Sequence, residues 1–355
     1  MSGAAPPSPS RFRGSVAAWA LLIAYASLYP FFPLRPPSSE AVMAFFVKPR
    51  YIVAYDVAWN VIAYLPLGAL ASLHFRRSGD GTRPLLKAVA FATAYSLAME
   101  ALQLFVPNRV ASIYDVIANA AGAVLGAAIF LDPIYSVVTK PLGEMREEML
   151  IAGAWGDAGL FLVLLWLIAQ LNPALPFFGA GNIVGSDAGM VELALLQWGA
   201  VALSLCGFGL FISTLVRGNQ GSLRVTLVLL SVALWLKFVG ASFALQPHFS
   251  DEWVSVGRFA GLAVGLAFFV LLRKLPRPGR IYLGLVMILA GALFSKIFGA
   301  YSALDEFLRL FRWPHGQLAS FATLTRFLHE LWPFASLVFL IALFLHERRR
   351  PGALR

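Results

Sequence analysis

Apolar stretches long enough to cross a lipid bilayer recur along the whole chain, and they narrow the folds open to it. About 20 helical residues span the hydrocarbon core. Runs of this kind lie near residues 16–33, 55–74, 86–106, 112–131, 155–172, 192–216, 225–245, 254–272, 281–301 and 332–346. Lipid offers no water to a peptide group, so a spanning segment must form a helix or join a closed barrel. Barrel strands alternate polar and apolar residues, and these runs do not. The expected fold is all-α: a polytopic integral membrane helical bundle of about ten transmembrane helices. Composition agrees, with 59% hydrophobic and only 13% charged residues, where a soluble domain carries roughly 25% charged.

The formal net charge of +10 invites a nucleic-acid reading, but the distribution of charge argues against it. Most Lys and Arg sit between apolar runs, in alternate connections, as the positive-inside rule requires. One side collects Arg11, Arg13, Arg76, Arg77, Arg83, Lys87, Lys140, Arg146, Arg217 and Arg224. It also collects Arg273, Lys274, Arg277, Arg280, Arg348, Arg349, Arg350 and Arg355. The other side has only Arg35, Lys48, Arg50, Arg109, Arg309, Arg312 and Arg326. An even number of spans with both termini cytoplasmic fits this bias. The first run also has the layout of a signal peptide, with Ala24-Tyr25-Ala26 as a cleavage site; cleavage there leaves the orientation of the remaining helices unchanged.

The resulting plan has a disordered cytoplasmic tail (1–15), a four-helix membrane domain (16–131) and a cytoplasmic connector (132–154). A six-helix membrane domain (155–346) and a basic cytoplasmic tail (347–355) follow. Residues 302–331 place Leu304, Phe307, Leu308 and Phe311 at helical spacing, the pattern of an amphipathic helix on the outer interface.

Ionisable and amide side chains inside a span are costly and normally face a bundle interior or a watery cavity. Three consecutive helices here carry them. The second span has Asp56 and Asn60, followed by Pro66 and Gly68. The third has Ser96, Glu100 and Gln103, which fall within a stripe about 60° wide. The fourth has Asp115, Asn119, Gly122 and Gly126. A short connection through Pro107 and Arg109 makes the third and fourth spans antiparallel neighbours. Gly122 and Gly126 are expected to let these two helices approach closely. The predicted result is an outward-facing acidic pocket with Arg109 at its rim.

The string from Ser96 through Glu100, Gln103, Pro107 and Arg109, then Asp115, Asn119, Gly122 and Gly126, resembles the core motif of the VanZ-like family. Asp56, Asn60, Pro66 and Gly68 fit its N-terminal part. The resemblance covers roughly residues 20–131. It implies a four-helix membrane domain and a link to the bacterial cell envelope, since the founding member is tied to reduced glycopeptide sensitivity and relatives occur beside exopolysaccharide genes. The family carries no well-defined reaction. Residues 150–355 lie outside the resemblance.

Asp56, Asn60, Ser96, Glu100, Gln103, Arg109, Asp115 and Asn119 are therefore the candidate ligand-binding residues. Glu100 and Asp115 are the candidate acid and base, because two carboxylates in a low-dielectric pocket push their pKa values apart. The structural alternative pairs Glu100 with Arg109 and bonds the amides across the helices. Farther on, Lys237, Arg258 and Lys296 lie within or near the outer ends of three spans. They suggest a site for a phosphate or carboxylate headgroup, against the alternative that they snorkel to the interface. The 5 His residues are scattered, so no metal site and no cofactor is expected. Cys206, the one cysteine, reads as a packing residue.

The functional expectation is a multi-pass protein of the bacterial inner membrane, a cell-envelope accessory factor that binds a lipid-linked or polysaccharide-related molecule at the outer leaflet. The expected partners are membrane lipids and that ligand, with no nucleic acid. The alternatives are a transporter or flippase of an anionic envelope precursor and a structural membrane scaffold. The absence of a recognisable repeat counts against the transporter. The topology has a direct test in a Cys206→Ala background. A cysteine replacing Ser38 should react with a membrane-impermeant maleimide on intact cells, and one replacing Ser78 only after lysis; the reverse pattern inverts the assignment.

Overall fold

The computed structural model describes residues 9–29, 31–47, 54–78, 83–107, 109–131, 134–172, 175, 178, 190–243, 256–298 and 317–349. These are helices joined by turns, and the one β-type pairing among them is an antiparallel bridge between Leu150 and Val216. Six helices are long and apolar enough to cross a membrane: Val57–Arg77, Pro84–Gln103, Trp198–Leu215, Ser222–Gly240, Arg277–Phe294 and Thr325–Arg348. Four of the expected spans correspond to shorter apolar helices, Arg13–Leu28, Ile113–Ala128, Gly153–Ala169 and Phe259–Leu272. The chain divides into two compact units, Met1–Glu144 with Phe311–Thr323, and Met145–Leu310 with Leu324–Arg355.

The first unit contains α1 (Pro9–Leu28), α2 (Ser39–Phe46), α3 (Ala54–Arg77), α4 (Pro84–Gln103) and α5 (Ile113–Ala128), followed by a π-helical turn (Tyr135–Thr139). Helix α1 starts at Pro9, so part of the segment expected to be disordered is helical. Proline suits the first helical position, where its missing N–H would have had no partner. The proline-rich stretch after the first span leads into α2, whose N-cap Ser38 accepts a hydrogen bond from Ala41 N.

The tightest packing in this unit is between α3 and α5. A Cβ on Gly122 would overlap the Val61 carbonyl, and one on Gly126 would overlap the Leu65 carbonyl. Gly68 on α3 meets the backbone of Ala123 in the same way. This corrects the expectation that Gly122 and Gly126 bring the third and fourth spans together: the glycines serve the second and fourth. Small residues spaced by four let backbones approach where lipid supplies no hydrophobic drive to associate. Tyr64, Leu67, Ala92, Met99 and Ala123 form the buried apolar cluster beside this contact, with Ile23 added from α1.

Polarity in these helices is reversed relative to a soluble bundle. Helix α4 buries Ser96, Glu100 and Gln103 while Leu86, Phe91, Leu97 and Leu102 are exposed. Helix α5 buries Asn119 and exposes Ile117, Val124 and Leu125. An apolar exterior of this extent marks a surface that does not face water.

Helix α6 (Lys140–Met149) has no buried residue and contains the boundary between the units. The second unit then has α7 (Gly153–Ala169), α8 (Met190–Leu215), α9 (Ser222–Phe243), α10 (Val256–Leu272), α11 (Arg277–Phe298) and, from Leu324 on, α12 (Gln317–Arg348). Helix α8 is its central element, with Leu205, Phe208, Leu210, Phe211, Ile212 and Leu215 buried. Gly261 and Gly265 of α10 lie against Trp198 and Ala202 of α8, again small residues four apart. Trp332 of α12 packs tilted against Phe208 and edge-on against Phe211, at 5.7 and 5.6 Å between ring centroids. Its indole Nε1 donates to the Leu162 carbonyl at 2.9 Å. The amphipathic segment expected over 302–331 is only partly described. From Gln317 it is one continuous helix through Pro333 to Arg348, not a separate element before the last span. This helix also enters the segment expected to be a tail from residue 347.

The glycine contact predicts a sharp asymmetry between two alanine substitutions. Gly126→Ala should destabilise the detergent-purified protein by about 1–3 kcal/mol or more, as overpacking does. Gly143→Ala, in open space on α6, should stabilise it by roughly 0.5–1 kcal/mol through helix propensity. Denaturant unfolding followed by tryptophan fluorescence measures both.

Candidate functional site

The polar side chains of the first unit are assembled by the ends and the close faces of its helices. Ser112 is the N-cap of α5 and accepts from Tyr114 N. Its extended backbone turns its own N–H toward α4, where it donates to Glu100 Oε2 at 2.9 Å. One turn into α5, Asp115 Oδ1 accepts from Asn60 Nδ2 of α3 at 2.7 Å. A turn farther, Asn119 Nδ2 donates to Ser96 Oγ of α4 at 2.8 Å. Helix α5 therefore bonds to α3 through Asp115 and to α4 through Asn119, and the turn before it bonds to α4 through Ser112.

Gln103 and Arg109 serve another purpose. Gln103 Nε2 donates to the Ser27 carbonyl at 3.1 Å. Arg109 Nη2 donates to the carbonyls of Ala26 and Tyr29 at 2.8 and 2.9 Å. A helix leaves its last carbonyls without intrahelical donors, and these two side chains satisfy the end of α1. The expected structural pairing of Glu100 with Arg109 is thus replaced by a backbone amide on Glu100 and by backbone carbonyls on Arg109. The two charges still interact. Burial pulls the Arg109 guanidinium down to about 10, with Glu100 acting in the opposite direction, so it stays charged at neutral pH.

Of the eight candidate residues, Asn60, Ser96, Glu100, Asp115 and Asn119 come together by direct bonds or shared partners. Glu100 is only 3% exposed and lies within electrostatic reach of Asp115. Gln103 and Arg109 join the same end of the unit through α1. Asp56 lies in the first turn of α3, and its side chain falls outside the described residues. Two participants are missing from the sequence prediction. Ser112 is readable in hindsight as an N-cap three residues before an acid. Tyr64 sits one turn beyond Asn60, on the same face of α3. Its hydroxyl is buried beside Ser96 but makes no hydrogen bond of normal geometry among the described residues, and Asn119 Oδ1 is likewise without a partner there. Both face an interior where burying an unbonded polar atom is costly. Among the described residues no three His, Cys, Asp or Glu side chains group as metal ligands.

Residues 11–136 match the family model described as VanZ/LLP1. The N-terminal part of the chain is VanZ-like. The match takes in α1 to α5 and hence every residue of this polar network. No curated protein and no solved structure matches the chain.

The second unit holds the other predicted site. Lys237 is 2% exposed in mid-α9. Its Nζ donates to the carbonyls of Leu175 and Asn172 at 2.7 and 3.3 Å, in the segment that follows the end of α7. Asn172 Nδ2 in turn donates to Thr325 Oγ1 of α12 at 2.8 Å. Lys237 thus holds an unwound stretch of backbone inside the unit. The side chains of Arg258 and Lys296 fall outside the described residues.

The Ser96–Asn119 bond in the VanZ-like region predicts a non-additive pair. Ser96→Ala should cost about 1–3 kcal/mol by stranding a buried amide. Adding Asn119→Leu should cost less than the sum of the two single changes, with a coupling of at least ~0.5 kcal/mol. Additive losses in unfolding experiments would rule the pairing out.

Proposed function

We propose that the VanZ-like region is a cell-envelope accessory module of the bacterial cytoplasmic membrane. It binds the polar part of a lipid-linked or polysaccharide-related molecule at the outer leaflet. One observation carries this reading. Asn119 Oδ1 is buried with no hydrogen-bond partner among the described residues, and Tyr64 Oη, beside Ser96, makes no bond of normal geometry there; they lie on the two helices whose neighbouring turns are joined by Asn60 and Asp115. A sugar hydroxyl both donates and accepts, so it suits this pair: it donates to Asn119 Oδ1 and accepts from Tyr64. The bond to Ser112 uses one oxygen of Glu100, and the other is an acceptor for a second hydroxyl. Placement at the outer leaflet follows from the charge bias between loops.

A scaffold reading draws on a different observation: Gln103 and Arg109 are engaged with backbone carbonyls of α1, which is structural work. The two readings separate experimentally. Full-length protein is extracted in mild detergent, and bound lipids and glycans are identified by mass spectrometry for wild type, Tyr64→Phe and Glu100→Ala. Binding predicts a lipid-linked glycan retained by wild type and reduced by about tenfold in both variants, a loss of roughly 1.4 kcal/mol, at unchanged yield. Identical lipid profiles, with only protein abundance altered, leave the scaffold standing and remove the ligand.

A further inference from the structure

A second place in the molecule combines buried charge with unsatisfied donors, and it lies in the unit that the family match does not reach. The α10–α11 turn, Arg273-Lys274-Leu275-Pro276-Arg277, with Arg280 one turn into α11, carries three arginines on one short stretch of chain, of which Arg277 and Arg280 interact electrostatically. The corner is well built. Asn219, in the α8–α9 turn, donates through Nδ2 to the Arg273 carbonyl, and its Oδ1 accepts from Ser222 Oγ at 2.8 Å. Arg280 Nη1 donates to the Ser213 carbonyl at the end of α8 at 2.6 Å. Arg277 Nε donates to Glu347 Oε1 at the end of α12 at 2.8 Å. Four helix ends are therefore fixed around the turn.

The charges do not balance. Among the described residues Glu347 is the carboxylate hydrogen-bonded to these arginines, and it engages Arg277. Arg280 is only 7% exposed, its Nη1 is spent on a backbone carbonyl, and Glu347 reaches it electrostatically without a direct hydrogen bond among the described residues. The Nε atoms of both Arg273 and Arg280 are buried without hydrogen-bond partners. The other acids at this end of the unit are accounted for: Asp157 pairs with Arg146, and Glu147 and Glu148 are exposed on α6. Glu347 is thus shared between Arg277 and Arg280, while Arg273 and Lys274 add further positive charge at the turn; an excess of partly buried cations is stabilised by a bound anion. Planar donor forks match phosphate oxygens bidentately. The turn joins the shorter apolar helix Phe259–Leu272 to Arg277–Phe294, a helix long and apolar enough to cross a membrane, and the end of such a span is the level where headgroups sit.

We propose that this corner binds a phosphate group, with Arg273 and Arg280 as its donors and Arg277 held to one side by Glu347. The phosphate comes from an anionic phospholipid headgroup or from a free phosphate anion. Basic clusters beside spans attract anionic lipid through the surface field, but here the site is specified by orphaned donors on a rigid turn rather than by loose surface charge.

The test uses the full-length chain in uncharged detergent. Native mass spectrometry measures retention of phosphatidylglycerol against phosphatidylcholine. Thermal unfolding measures inorganic phosphate against chloride at equal ionic strength. Wild type should retain phosphatidylglycerol about tenfold over phosphatidylcholine, equivalent to ~1.4 kcal/mol, and Arg273→Gln should abolish the preference. Arg280→Gln should do the same where it folds; the half-buried Arg273 keeps the test decisive where it does not. Arg217→Gln, at an exposed arginine, should leave retention unchanged. Glu347→Gln should strengthen retention by removing the competing charge, an effect no purely structural role produces. Stabilisation by inorganic phosphate without lipid preference, lost in Arg273→Gln, assigns the site to free phosphate. Equal retention of both lipids with no phosphate effect in wild type overturns the proposal, as does an Arg273→Gln protein that behaves like wild type.

Discussion

The backbone contact between α3 and α5 is the constraint from which the VanZ-like region follows. With hydrogen in place of Cβ at Gly122 and Gly126, α5 lies directly on the carbonyls of Val61 and Leu65. Helices in lipid gain little from burying apolar area, because the tails are as apolar as leucine. Close packing and interhelical hydrogen bonds must hold them instead. The glycine contact supplies the first and positions the second, since Asn60 and Asp115 sit one to two turns along the same interface and bond at 2.7 Å. A longer helix separation would put those side chains out of reach.

The polar network is therefore a consequence of packing as well as a candidate site. Ser112 shows how local and tertiary structure combine. As an N-cap it must adopt an extended backbone, which leaves its own N–H outside the helix ladder. That N–H meets Glu100 because α4 and α5 are antiparallel neighbours across a short turn. Two carboxylates (Glu100 and Asp115), two amides (Asn60 and Asn119) and the hydroxyls of Ser96 and Tyr64 thus collect between three helices. Most are satisfied internally, and two atoms are not. Buried polar groups left unbonded in an otherwise satisfied network are the natural place to look for a ligand.

The second unit solves the same problem with different chemistry. Helix α8 is surrounded, small residues admit α10, and aromatic rings fill the space toward α12. Lys237 holds the unwound backbone after α7, so a charge in mid-span has a structural assignment to backbone carbonyls. Charge without such an assignment gathers instead at the α10–α11 turn. Both features are invisible to a count of charged residues, which treats every lysine and arginine alike.

Much of the molecule was legible before any coordinates. Apolar run length determined helices in lipid, because unpaired peptide groups cannot exist there, and polar residues at helical spacing marked inward faces on α4 and α5. The N-terminal motif named the family, through residues whose spacing along a helix is local information. Partner choice was not legible. Gly122 and Gly126 were matched to α4 where they pack on α3, the bonds of Arg109 to the end of α1 were not foreseen beside its interaction with Glu100, and Tyr64 was overlooked among apolar residues. A sequence specifies which face of a helix is polar or small, through the 3.6-residue period. Only tertiary structure decides which other helix meets that face, because that choice depends on distances between segments far apart in the chain.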